Sequence, residues 1–277
     1  MKKIVYVLST NYSGSHLLSL VIGSHSRFLH IGEVKGLRNN RHTRRQYCGI
    51  CGGHENCPVL GGINPENIDN IYETIFSNVD NNVCGLVDTS KKTYWAQRFL
   101  ADERYEKKFV FLIRDPRALV RRWLLDEKLN VLRERLKLLK YAPRYMGMGV
   151  FGDAADIYVG KWLQQNWKIF NFIKKFDLDS FTLTYHDLVL KEGKVLTDLM
   201  GWLEEEYEPG QEEYWNFTHH GSTKHQYRDT KERKLDCRWK ESLTLEQQVR
   251  IAKNSHIQGF IKGCGITMND DGLTLLG

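Results

Sequence analysis

The stretch that decides the fold is Ile4-Val5-Tyr6-Val7-Leu8-Ser9-Thr10-Asn11-Tyr12-Ser13-Gly14-Ser15-His16-Leu17-Leu18. Residues 4–8 run β-branched and aromatic side chains together without a polar interruption, the pattern of a short buried strand. Residues 9–14 are small or polar turn formers. Residues 15–23 then carry Leu17, Leu18, Leu20, Val21 and Ile22, which predicts a helix. A glycine-containing turn between a strand and a helix aims several backbone N–H groups at one point, and the helix dipole adds partial positive charge there. Such a turn can cradle a phosphate, helped by the Ser13 and Ser15 hydroxyls, or can simply cap the helix. The Gly-Lys-Ser/Thr ending of an ATP-type loop is absent, so no Walker lysine acts here.

Working outward, the same order recurs. Residues 83–87 form a second apolar run, followed by Asp88, Thr89 and Ser90 and a helix over 94–101. Residues 109–113 form a third, followed by Arg114, Asp115, Pro116 and a long helix. Pro116 suits a first helical turn, where its missing N–H costs nothing. Strand, polar turn and helix in repetition predict an α/β fold: a single P-loop-like, doubly wound domain with a central parallel β-sheet flanked by helices. Ligands in such folds bind where strands end and helices begin. Further along, 154–176 reads as a long amphipathic helix with Trp162, Trp167, Phe170 and Ile173 on its apolar side. Residues 181–185 read as a strand, 186–203 as mostly helical and 245–255 as a helix, while 215–239 has no clean period and reads as an irregular cap.

Composition bounds the function. The 277 residues are 41% hydrophobic and 12% aromatic, which excludes a largely disordered chain. With few prolines and no Ser/Gly/Pro-rich linker, one domain over 1–277 is expected. The longest apolar runs fall far short of the ~20 residues of a membrane span. Lys2 and Lys3 precede an apolar run shorter than the ~7–15 residues of a secretory signal, so a cytoplasmic protein is expected. Lys plus Arg number 40 against 34 Asp plus Glu, a net charge of +6. That suits an anionic small ligand and is too mild to argue for nucleic acid. Of the six cysteines, Cys48, Cys51 and Cys57 cluster and the others are scattered, which reads as free thiols plus one local site.

The ordered turns carry a resemblance. Ser13-Gly14-Ser15 after the first strand, Gly32-Glu33 after the first helix, Asp88-Thr89-Ser90-Lys91 after a middle strand, Arg114-Asp115-Pro116-Arg117-Ala118 and Tyr185-His186-Asp187-Leu188 together resemble the sulfotransferases that use 3′-phosphoadenylyl sulfate, of a bacterial or tyrosylprotein-sulfotransferase-like branch. The likeness reaches Trp239. It implies that Tyr12, Ser13, Gly14, Ser15, His16 and Leu17 hold the 5′-phosphosulfate and that Ser90 is a further cofactor-binding residue. It implies that Arg114 clamps the 3′-phosphate, with Arg122 where the family has a serine, and that Tyr185, Gly221, Ser222 and Arg228 grip the adenosine. Tyr12 departs from the pattern, since the family has Arg or Lys there; a protonated His16 could compensate. Glu33 matches the catalytic carboxylate that takes the acceptor's proton. Lys91 matches the cation that stabilises the leaving nucleotide, with Lys92 its competitor and His16 a further catalytic candidate. The donor is already activated, so no metal is required.

Other clusters leave alternatives open. Cys48, Cys51, His54 and Cys57 have zinc-ligand types, but they are cramped, and plain structural thiols are the favoured reading over zinc, a redox pair or a disulfide. They lie in a Cys- and Arg-rich stretch, 38–62, that reads as a lid-like insert and includes Arg38, Arg41, Arg44 and Arg45. An acidic run, Glu204, Glu205, Glu206, Glu208, Glu212 and Glu213, reads as exposed helix end and loop, or as an acidic rim for a cationic substrate. The expected function is transfer of a sulfuryl group from 3′-phosphoadenylyl sulfate to a hydroxyl or amine of a small molecule such as a glycolipid, a secondary metabolite or a guanidinium-type alkaloid. The alternatives are a P-loop-like kinase and a catalytically idle nucleotide-binding protein.

Overall fold

A computed structural model describes residues 1–38, 48–126, 130–221 and 235–276. Strands β1 (Lys3–Ser9), β2 (Phe28–Gly32), β3 (Gly85–Lys91), β4 (Glu106–Ile113) and β5 (Ser180–Thr184) form one sheet in the order β2-β3-β1-β4-β5. Every pairing in it is parallel. The expected doubly wound α/β architecture is therefore observed, and all five strands end on one edge.

Alternation along the strands builds a core on each face. Val5 and Val7 of β1 pack with Val87, Val110 and Leu112 beneath helices α1 (Ser15–Ile22) and α9 (Glu192–Trp202). Ile4, Tyr6 and Leu8 point the other way and join Phe109, Phe111 and Ile113 under α2 (Ile71–Ser77), α3 (Thr93–Gln97), α4 (Pro116–Leu124) and α7 (Ala154–Lys175). Trp95, Trp123 and Trp162 are fully enclosed there. Burying a large apolar side chain contributes ~1.5–3 kcal/mol, so this two-sided core holds the strand ends rigidly.

Several elements differ from the expectation. β2 was not anticipated, because Phe28–Gly32 is short and carries His30 in its middle. β3 runs on through Asp88, Thr89 and Ser90 to Lys91 rather than stopping at 87. The long helix after Pro116 ends at Leu124; α5 (Val131–Tyr141) and α6 (Met146–Phe151) follow as separate helices. Tyr185 opens helix α8 (Tyr185–Leu190) instead of closing β5, and Lys191 separates α8 from α9. In the irregular stretch, Pro209–Asn216 winds as 3₁₀ helix. The chain closes with α10 (Trp239–Ser242), α11 (Leu245–Ala252), α12 (Ser255–Gly263) and an antiparallel hairpin of β6 (Ile266–Met268) and β7 (Leu273–Leu275).

Two register shifts shape the functional edge. Tyr6 of β1 faces Asp88 of β3 and Leu8 faces Lys91, so β3 has an additional residue over that interval. His30 of β2 faces Val87 while Gly32 faces Asp88, so β2 has one too. Bulges of this kind bend a strand and re-aim its side chains. They lie where Lys91 and Glu33 leave the sheet.

Candidate active site

The residues that follow β1, β4 and β5 meet above the sheet edge. Gly14 has φ 94°, a conformation that favours glycine, and a Cβ there would lie 2.4 Å from Cδ2 of Tyr185. The first loop therefore closes directly against the ring that follows β5. The Arg114 guanidinium lies 4.2 Å from the centroid of the same ring. One of its nitrogens donates to the Tyr12 carbonyl at 2.7 Å, and the other pairs with Asp236 at 2.7 Å. Trp162 Nε1 donates to the Arg114 carbonyl at 2.9 Å, tying this turn to α7. The sequence brings these pieces from residues 12, 114 and 185, and the parallel sheet makes them neighbours.

Tyr12 also has a positive φ, 68°. Strain of this kind persists only where the surroundings hold it; here Tyr12 Oη donates to Asp126 at 2.8 Å. The Arg122 guanidinium lies over the Tyr12 ring at 4.5 Å. A cation from α4 therefore stands beside the first loop, which carries none of its own. Ser13 spends its hydroxyl on the Thr10 carbonyl at 2.7 Å, which fixes the loop rather than leaving a donor. Ser15 is buried at the start of α1, and Leu17 packs into the core beneath it. Among the described residues, no partner meets the buried hydroxyls of Ser9, Thr10 and Thr89 or Nε of Arg114. Buried polar atoms cost free energy when unpaired, so this edge is built to take a polar ligand.

Next to this cradle, Lys91 forms an ion pair with Glu33. Lys91 has φ 63°, and its side chain is 12% exposed against 52% for Glu33. Asp88 braces the turn: its carboxylate accepts from Ser90 N, Tyr72 Oη and Trp95 Nε1, each at 2.7 Å. Burial raises the Asp88 pKa, with the hydrogen bonds from Ser90, Tyr72 and Trp95 opposing it. Ser90 Oγ accepts from Lys35 N at 3.1 Å, so it fixes the turn after Glu33. The Lys92 pKa is lowered by burial and by the neighbouring Lys35 and Lys91 ammoniums. Behind Glu33, the rings of His16 and His219 flank His30 at 5.1 and 5.9 Å. His30 is fully buried and its pKa is held well below the ordinary value, first by burial and then by those two rings. It is sealed away from any acceptor.

A cavity of about 680 Å³ opens beside Lys91. Lys91, Lys92, Arg144 and Lys168 bring cationic groups to its wall, and Tyr94, Tyr141, Tyr145 and Trp167 bring aromatic ones. Ser9, at the end of β1, and Lys91, at the end of β3, both line it, so it opens on the same edge of the sheet.

No family model matches the chain, and no curated protein does. Solved structures do. A sulfotransferase domain from the curacin biosynthetic pathway superposes with a TM-score of 0.58 at 19% identity, over 91% of this chain and 96% of its own. The fold is that of a sulfotransferase domain. A sulfotransferase domain from the Synechococcus PCC 7002 olefin synthase matches with a TM-score of 0.48 at 18% identity, over 78% of each chain. A sulfotransferase from Alicyclobacillus acidocaldarius matches at 0.41 and 15%, over 77% of this chain and 89% of its own.

Within the sulfotransferase fold, other sequence expectations change. Cys48, Cys51 and Cys57 do converge, but the nitrogen beside them belongs to His220, not His54. His54 instead contributes a carbonyl that accepts from Cys57 N at 3.0 Å. All the described cysteines are free thiols, so the local disulfide is not formed. In the acidic run, Glu204 pairs with Lys3, Glu205 with Arg27, and Glu208 holds Ser26, at the edge of the sheet where strands begin. Gly221 packs against the end of β2, while Ser222, Arg228, Arg41, Arg44 and Arg45 lie outside the described residues. Asp236 has no role assigned from the sequence, and His220 is expected only within the 219–228 stretch about the adenine, not beside the three cysteines. No helix is long and apolar enough to cross a membrane among the described residues.

Proposed function

We propose that this protein transfers a sulfuryl group from 3′-phosphoadenylyl sulfate to a hydroxyl or amine of a small molecule. The observation that carries the reading is the contact of Arg114 with both the Tyr12 carbonyl and the Tyr185 ring, which joins the two anion-binding turns on one side of the sheet. The N–H groups at the start of α1 and the Arg122 charge meet the 5′-phosphosulfate, while Arg114 takes the 3′-phosphate. Tyr185 covers the adenosine.

The chemistry then falls to the Glu33–Lys91 pair. As the acceptor oxygen or nitrogen attacks sulfur, its proton passes to the Glu33 carboxylate and a new bond to sulfur forms. The bond between sulfur and the bridging phosphate oxygen breaks, and the Lys91 ammonium stabilises the charge that collects on that oxygen. Lys91 turns from Glu33 toward the nucleotide when the donor enters, which frees the carboxylate. The cation-lined, aromatic cavity favours an acceptor with an anionic group and an apolar or aromatic body over a guanidinium-type alkaloid. The kinase alternative fits poorly, because the strand-end carboxylate of Asp88 is buried and already bonded to Tyr72, Trp95 and Ser90.

Calorimetric titration distinguishes the readings. Adenosine 3′,5′-bisphosphate should bind without magnesium and ATP weakly; tight magnesium-dependent ATP binding would replace this reading with the kinase. Single-turnover assays with labelled donor and a panel of anionic phenols and alcohols then test transfer. Donor binding without transfer to any acceptor or water would leave a nucleotide-binding protein.

A further inference from the structure

Cys48 Sγ lies 3.7 Å from His220 Nδ1, and Cys51 Sγ and Cys57 Sγ each lie 3.4 Å from it. The four ligand atoms all fall within 4.8 Å of one another. Hydrogen bonding does not account for this. A single imidazole nitrogen offers one proton or one lone pair, and it cannot bond three thiols at once. A tetrahedral zinc ion with Zn–S of ~2.3 Å and Zn–N of ~2.0–2.1 Å does account for it, since sulfur and nitrogen ligands then sit about 3.6 Å apart.

The surroundings fit the same ion. Gly52 follows Cys51 with φ 74°, the left-handed turn of a Cys-x-x-Cys-Gly knuckle. Backbone N–H groups of Gly221, Cys51 and Ile50 turn toward Cys48 Sγ, and those of Leu60 and Val59 toward Cys57 Sγ. Such donors are the outer shell that a metal thiolate uses. Cys48 and Cys57 are 0% and 2% exposed, among Val34, Leu37, Leu60 and Ile63. Three soft sulfurs and one imidazole select zinc over magnesium or calcium, and four protein ligands leave no open position for catalysis.

The location gives the ion a task. Gly221, next to His220, presses on the last residues of β2: a Cβ there would lie 2.6 Å from the Ile31 carbonyl oxygen. Ile31 and Gly32 lead directly into Glu33. We propose that Cys48, Cys51, Cys57 and His220 bind one structural zinc ion that staples the His219–Gly221 stretch to the end of β2 and so fixes the position of Glu33. The zinc site stands on its own geometry; its effect on Glu33 rests on the sulfotransferase reading.

Metal analysis of the full chain, purified with zinc supplied and then dialysed, tests the site directly. About one zinc per chain is expected. His220→Asn, and Cys51→Ser combined with Cys57→Ser, should lose it, while His54→Asn should retain it. Should those variants fail to fold, cobalt substitution of the unaltered chain decides: tetrahedral thiolate–cobalt absorption supports the site, and its absence overturns it. Zinc-free wild-type protein, or loss of zinc in His54→Asn with retention in His220→Asn, also overturns it. Chelation should lower the melting temperature and reduce kcat. Retained bisphosphate affinity after chelation would show that the donor site is intact and that only the Glu33 wall has moved. Melting temperature and kcat that both survive removal of the metal would refute the staple while leaving the ion. Failure of the bisphosphate to bind the zinc-loaded chain would count against the sulfotransferase reading alone.

Discussion

The two edges of the parallel sheet handle charge in opposite ways. At the edge where strands begin, Lys3 donates to the Leu203 carbonyl at 2.8 Å and pairs with Glu204. Lys108 there pairs with Glu106 at 2.9 Å and Asp179 at 2.7 Å, beneath the Trp202 ring. At the edge where strands end, Arg122 lies against a ring, Arg114 against a ring, a carbonyl and one carboxylate, and Lys91 against a half-exposed Glu33. The first edge closes its ion pairs among structural residues. The second holds cations in place with partners that an incoming anion can outcompete. Under the proposed function, the difference separates a charge that stabilises the fold from one kept for a ligand.

The sharpest way to break this comparison is Glu33→Gln. Turnover should fall by on the order of 10²–10⁴-fold, the contribution of a positioned base, with bisphosphate affinity nearly unchanged by calorimetry. Retained turnover would move the base elsewhere, and the sealed His30 would not be the substitute. Arg114→Ala comes next. It should weaken bisphosphate binding by about 10–100-fold, as expected for loss of ~1.5–3 kcal/mol from a charge-assisted contact. Asp236→Asn probes the exchangeable partner and should act in the opposite direction, tightening bisphosphate binding about 2–10-fold by removing a competing anion worth ~0.5–1.5 kcal/mol. Weaker binding in that variant would mean that Asp236 orients Arg114 rather than competing for it.

A smaller effect is set by pH. Burial, then Lys35 and Lys91, lowers the Lys92 pKa, so its ammonium is lost at a lower pH than that of an ordinary lysine. KM for an anionic acceptor should therefore climb on the alkaline side, on the order of 2–5-fold, and Lys92→Arg should flatten the profile. The control at the other edge is Lys108→Met. Bisphosphate affinity should not change, while the melting temperature drops by ~2–8 °C, from a loss of ~1–2 kcal/mol.

What could be read in advance follows from locality. β1 and β4 were legible because their apolar runs are continuous, and Pro116 marked the start of α4. The Gly14 loop was legible too, although its glycine is required by Tyr185, a contact that no local pattern records. β2 was not, since His30 interrupts a run of only a few residues. Arg122 was anticipated as a ligand to phosphate, but its position over Tyr12 depends on where α4 sits relative to the first loop. The substitution of His220 for His54 shows the limit most clearly. Spacing favours the nearby imidazole, and only the folded chain brings Cys57 and a residue 163 positions later into contact.

That long separation has a consequence for how the molecule is made. Translation delivers the cysteine-bearing stretch and every strand of the central sheet well before His220 leaves the ribosome. Throughout elongation the trio of thiols waits without its imidazole, and contacts between distant parts of a chain are the slow ones to form. The contact of Gly221 with the end of β2, just ahead of Glu33, therefore closes only after all five strands of the sheet have been made.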